Sequence, residues 1–123
     1  MCSYVINRLY LPLEVKDRVR TYLGGADLLD FNAVQPKPQQ LTGQEGRDWC
    51  SAFWGTEENA SQAELIENIL TFRTVDTPPL VWLKELSMLF PQYEFTLDWF
   101  YEDLPEWYQC VMRGGKVQYI NGV

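Results

Sequence analysis

Two pairs of carboxylates are the first residues in this chain that could do chemistry. Glu57 and Glu58 are adjacent within "FWGTEENA" (53–60), and Asp98 and Glu102 stand four positions apart. Either pair could divide general-acid and general-base duties between its members. Nothing beside them supplies the rest of a reaction. The chain has no histidine, which excludes a Ser-His-Asp triad and a Cys-His nucleophile. Its cysteines, Cys2, Cys50 and Cys110, are scattered, whereas a structural zinc site takes four ligands at short spacings. Cys50 and Cys110 fall in apolar stretches and read as buried thiols. "RGGK" (113–116) has too few glycines and no following helix for a phosphate cradle. The expectation is a protein that is not an enzyme and takes no metal and no cofactor.

Charge gives a stronger signal. Residues 48–112 hold twelve acids against Arg73 and Lys84, while the remainder holds five acids and eight bases. The net charge of −7 is therefore a contrast between an acidic stretch and a mildly basic rest. Such a field steers a basic partner and opposes direct contact with nucleic-acid phosphates. "YEFTLDWF" (93–100) sharpens the point by strict alternation. Tyr93, Phe95, Leu97 and Trp99 face one way, and Glu94, Thr96 and Asp98 the other. Continued extension brings Glu102 to the acidic face, with Asp103 and Glu106 nearby. Acids two residues apart on a strand face are roughly 6.5–7 Å apart, close to the phosphate spacing of a nucleic-acid strand. Glu94, Asp98, Glu102, Asp103, Glu106, Glu57 and Glu58 are the candidate partner-binding residues.

The elements that must position these residues follow from pattern and punctuation. A chain of 123 residues implies one domain spanning 1–123 with one core. Its five tryptophans bring enough buried area to make a small core feasible. "YVINRLYL" (4–11) reads as a strand. "PLEVKDRVRTYL" (12–23) reads as a helix with Leu13, Val15, Val19, Tyr22 and Leu23 on its stripe, stopped by Gly24-Gly25. "LLDFNAV" (28–34) reads as a second strand, 35–46 as a loop, and 47–54 as a short helix with Trp49, Phe53 and Trp54 inward. Residues 61–70 carry both helical spacing and strand composition; a strand ending near Asp76 is favoured. "TPPLVWLKELSMLFP" is a helix capped by Thr77, with Leu83, Leu86, Leu89 and Phe90 inward. "EWYQCVMRGGKVQYI" is a hairpin turning at Gly114-Gly115. The order predicts an α+β fold, a ferredoxin-like sandwich: an antiparallel sheet with two helices on one face plus a C-terminal hairpin. "FWGTEENA" itself reads as a structural corner, with Trp54 packed under a loop, Gly55 in a tight turn, and Thr56 and Asn59 bonding backbone.

Several segments share an order with a known family. "NRLYL", "FNAVQPKPQQLTG", "FWGTEENA", "TFRTVDTPPLVWLKELSMLFPQYEF" and "DWFYED" together resemble the YubB-type ferredoxin-like domain of plasmid and phage proteins, over residues 4 to 113. Where that family commonly has Lys-Trp-Asn after its Trp-Gly-Thr, this chain has Glu57-Glu58-Asn59. The resemblance implies the fold and a mobile-element setting, and no reaction or catalytic residues. The reading is a non-enzymatic, cytoplasmic protein-binding module. It would be a defence antagonist of anti-CRISPR type, whose acidic face blocks a basic nucleic-acid groove of a host protein. The alternatives are a nucleic-acid-binding accessory protein that stacks bases on sheet aromatics, and an enzyme of unknown chemistry. No apolar run approaches the roughly 20 residues of a membrane span.

Overall fold

The computed structural model describes residues 3–24 and 28–121. Six strands form one antiparallel sheet in the order β2-β3-β1-β4-β5-β6. They are β1 (Tyr4–Tyr10), β2 (Ser61–Ile66), β3 (Ile69–Val75), β4 (Glu94–Tyr101), β5 (Trp107–Arg113) and β6 (Lys116–Asn121). Three helices, α1 (Lys16–Arg20), α2 (Gly43–Phe53) and α3 (Leu80–Leu89), complete the fold. No helix of the described residues is long and apolar enough to cross a membrane.

The alternation expected for β4 holds. Phe95, Leu97 and Trp99 are buried while Glu94, Thr96 and Asp98 are not. Val5 and Leu9 of β1, Leu70 and Phe72 of β3, and Cys110 and Met112 of β5 continue the same inner face. Leu83, Leu86 and Phe90 of the α3 region cover that face, joined by the fully buried Trp82. All of these side chains belong to one continuous hydrophobic cluster. The Gly114-Gly115 hairpin also forms as expected. Both glycines have positive φ, +57° and +79°, the requirement of a two-residue turn matched to strand twist.

Several expectations need correction. Residues 28–34 make no strand; Phe31–Ala33 is a single 3-10 turn. Asp30 causes this, because its carboxylate accepts from Asn32 N and starts the turn. Phe31 is drawn into the core among the rings of Trp54, Phe72 and Trp82 instead of along a ladder. The sheet position meant for this segment goes to β2 and β3, so residues 61–70 hold a strand, a turn and the start of another strand. The helix over 12–23 shortens to a 3-10 turn (Leu13–Val15) and five α residues. Val15, Val19 and Leu23 are buried, but Leu13 and Tyr22 are exposed, so its stripe is narrower than drawn. The second helix begins at Gly43, within the expected loop, and Phe53 lies exposed against Trp49. Leu89 is exposed. Thr77 caps no helix: α3 starts after Pro79, and the Thr77 hydroxyl donates to Gly55 O.

Candidate functional site

"FWGTEENA" is a corner that locks the start of α3 to the sheet. Trp54 is buried and donates Nε1 to Gln35 O at 2.8 Å. Its own carbonyl accepts from Trp82 N at 3.1 Å. Gly55 has φ +88°, and a Cβ there would stand 3.1 Å from both Leu80 N and Val81 N. Thr56 is buried and donates to Val75 O at 2.7 Å, pinning the loop to the end of β3. Asn59 accepts from Phe31 N and donates to Asp30. Thr56 and Asn59 thus make the bonds that their types suggest, while Glu57 and Glu58 make no ion pair among the described residues.

The seven candidate acids fall into three places. Glu57 and Glu58 line a depression with Lys37, Arg47 and Cys50 beside α2. Glu94 and Asp98 lie on the open face of the sheet, four positions apart, interleaved with cations. Glu94 stands 3.4 Å from Arg113. Asp98 is in register with Arg8 and accepts from Gln109 Nε2 at 2.8 Å. Glu102, Asp103 and Glu106 sit in the turn joining β4 and β5. Glu102 forms a 2.6 Å pair with Arg73, whereas Asp103 and Glu106 are exposed and make no ion pair among the described residues. The open face is therefore a mosaic of both signs. Its rings are partly capped: Arg8 lies over Trp107 at 4.9 Å and Arg73 over Tyr4 at 5.0 Å.

The β4–β5 turn also borders a feature that no single segment announces. The inner face of β4 and β5 runs past the start of α3, leaving Trp99, Tyr101 and Tyr108 as the floor of a mainly apolar cleft of about 390 Å³. Pro78 and Val81 form its wall. Trp99 and Tyr108 stack at 5.7 Å, and Tyr101 meets Tyr108 edge-on at 6.2 Å. Burial, then Tyr108 and Asp76, raise the Tyr101 hydroxyl above its ordinary pKa of 10.0. Asp76 sits where β3 ends, at φ +63°, a conformation that aspartate tolerates better than most residues. Its carboxylate accepts from Ser3 N. Asp76, Glu102, Asp103 and Glu106 thus gather at the same end of the sheet as the cleft. The sequence signal for it was the aromatic run Trp99-Phe100-Tyr101 continuing beyond the residues that α3 can cover.

Both described cysteines are buried, and burial pushes both thiols up, which disfavours the nucleophilic thiolate. Among the described residues no three Cys, Asp or Glu side chains converge as metal ligands. Comparison with family models, with curated proteins and with solved structures returns no match for this chain.

Proposed function

We propose that this protein is a non-enzymatic binding module whose partner is a protein with a basic surface, contacted at the end of the sheet where β4 turns into β5. The observation that carries this reading is the coincidence there of an apolar cleft with exposed carboxylates. Asp103 and Glu106 are exposed and make no ion pair among the described residues, so their field reaches outward. Glu94 and Asp98 serve the same partner less directly, through the mosaic of the open face, and Glu57 and Glu58 extend the acidic surface along the corner.

The finer reading is of a ferredoxin-like domain from a mobile element. The order β2-β3-β1-β4, with helices in the β1–β2 and β3–β4 connections, supports it, as does the resemblance to the YubB-type domain. In that setting the partner is a host defence protein. The acidic end would occupy the lysine- and arginine-rich groove that normally holds nucleic acid, as an anti-CRISPR protein does, inside the cytoplasm.

A comparative pull-down from bacterial lysate tests this. Wild-type bait should enrich proteins with basic surfaces, and raised salt should deplete them, because screening shortens to about 8 Å at physiological ionic strength. The double variant Asp103→Lys, Glu106→Lys should lose them while melting unchanged. Equal enrichment by bait and variant would overturn the proposal.

A further inference from the structure

We propose that the cleft beside the start of α3 seats one large apolar side chain from a segment of the partner, with lysines or arginines flanking that side chain. This inference rests on the binding-module reading and adds the chemistry of what is bound.

Shape argues first. The floor is aromatic on two adjacent strands, and Trp99 is in register with Tyr108 across the β4–β5 ladder. The wall is the first turn of α3, where Val81 is 36% exposed and lines the cleft. Both floor and wall are held before anything binds. Trp82 N bonds Trp54 O at 3.1 Å, and Thr77 bonds Gly55 O, so the helix start cannot drift from the corner. A preformed apolar cleft avoids the ordering cost that weakens flexible sites. Rings placed edge-on and stacked favour another ring or a branched aliphatic group among them.

Polarity argues next. Among the described residues neither Tyr101 nor Tyr108 has a hydrogen-bond partner for its hydroxyl, so each can bond a backbone group of an entering segment. Among the described residues no lysine or arginine lines the cleft. The carboxylates of Asp76, Asp103 and Glu106 stand around that end of the sheet; of the guanidiniums near it, Arg73 is taken by Glu102 and Arg8 lies over the Trp107 ring. An acidic segment or a nucleic-acid phosphate would be repelled there, whereas cations on either side of the seated group would be drawn in. Charge complementarity therefore selects a basic segment over a second copy of this chain, whose net charge is −7.

The probe is a pair of synthetic peptides, Arg-Lys-Phe-Lys-Arg and Arg-Lys-Ala-Lys-Arg, titrated into isotopically labelled protein and followed by NMR. The phenylalanine peptide should bind about tenfold or more tightly than the alanine peptide, the scale expected for seating one apolar ring. Its shifts should centre on Val81, Tyr101 and Tyr108. Val81→Asp should erase the difference between the peptides without changing the melting temperature. Asp103→Asn with Glu106→Gln should weaken both peptides alike. Equal binding of the two peptides by wild type would overturn the cleft proposal and leave the acidic-surface reading standing. Binding of neither at millimolar concentration would overturn both. A wild-type dimer that Val81→Asp converts to a monomer in sedimentation would replace the basic segment with a second copy.

Discussion

At the scale of single residues, burial and bonding separate structural side chains from available ones. Trp54 is buried with its indole N–H satisfied, whereas Glu57 and Glu58 have no ionic partner among the described residues. Trp54→Ala should cost roughly 3–5 kcal/mol through the cavity it leaves. Glu57→Gln with Glu58→Gln should shift stability by no more than about 0.5 kcal/mol. Chemical denaturation checks both, and equal losses would remove the distinction between corner and rim. Asp30 offers a pH test. Partial burial works to raise its carboxyl pKa, but the bonds from Asn59 and from Asn32 outweigh it and hold the pKa below its ordinary 3.8. A lowered folded pKa contributes stability that is complete above the unfolded value and is lost as pH falls through the folded one. Between about pH 5 and about pH 2, wild type should therefore lose more stability than Asp30→Asn. Identical acid limbs in urea titrations would show that this carboxylate network contributes nothing.

Elements succeed or fail in this chain according to whether local chemistry agrees with packing. The β5–β6 hairpin is a case of agreement, and its two glycines are not equivalent. A Cβ on Gly114 would meet nothing closer than 3.6 Å, while one on Gly115 would stand 2.7 Å from Met88 Cγ. Asparagine adopts positive φ readily, so Gly114→Asn should be near neutral. Gly115→Ala combines backbone strain with a clash against α3 and should cost about 1–3 kcal/mol. Thermal melts of the two variants decide this, and equal effects would mean that α3 does not press on the turn. The segment 28–34 is the opposite case. Its composition is that of a strand, yet an aspartate at the start of a turn and one phenylalanine with three aromatic neighbours in the core outweigh β propensity.

For the molecule as a whole, one sheet and one hydrophobic cluster join every described element. Trp54, Trp82 and Trp99 come from three separate segments yet sit in the same cluster. Unfolding should therefore be a single cooperative transition. Near-ultraviolet circular dichroism, which reports the packed tryptophans, should coincide with the far-ultraviolet signal in midpoint and width. Separate midpoints would mean that the edge strands and the core melt independently. The charge contrast along the chain also becomes spatial at this scale. Asp76, Glu102, Asp103 and Glu106 gather where β3 and β4 end, while Arg113 and Lys116 lie at the opposite end of the sheet, around the β5–β6 turn.

Sequence by itself determined the features that depend on local pattern. Period-two alternation marked the buried face of β4, paired glycines marked the β5–β6 turn, a proline-led apolar stripe marked α3, and Trp54-Gly55-Thr56 marked the corner. Each is dictated by side chains within a few residues of one another. Tertiary structure alone decided which carboxylates remain free. Arg73 reaches Glu102 from 29 positions away, and Arg8 comes into register with Asp98 only through β1–β4 pairing. It also decided that the aromatics of β4 and β5 would floor a cleft, because that depends on where α3 begins relative to the strand ends. Contacts of this kind are set by strand order and register, to which spacing along the chain is blind.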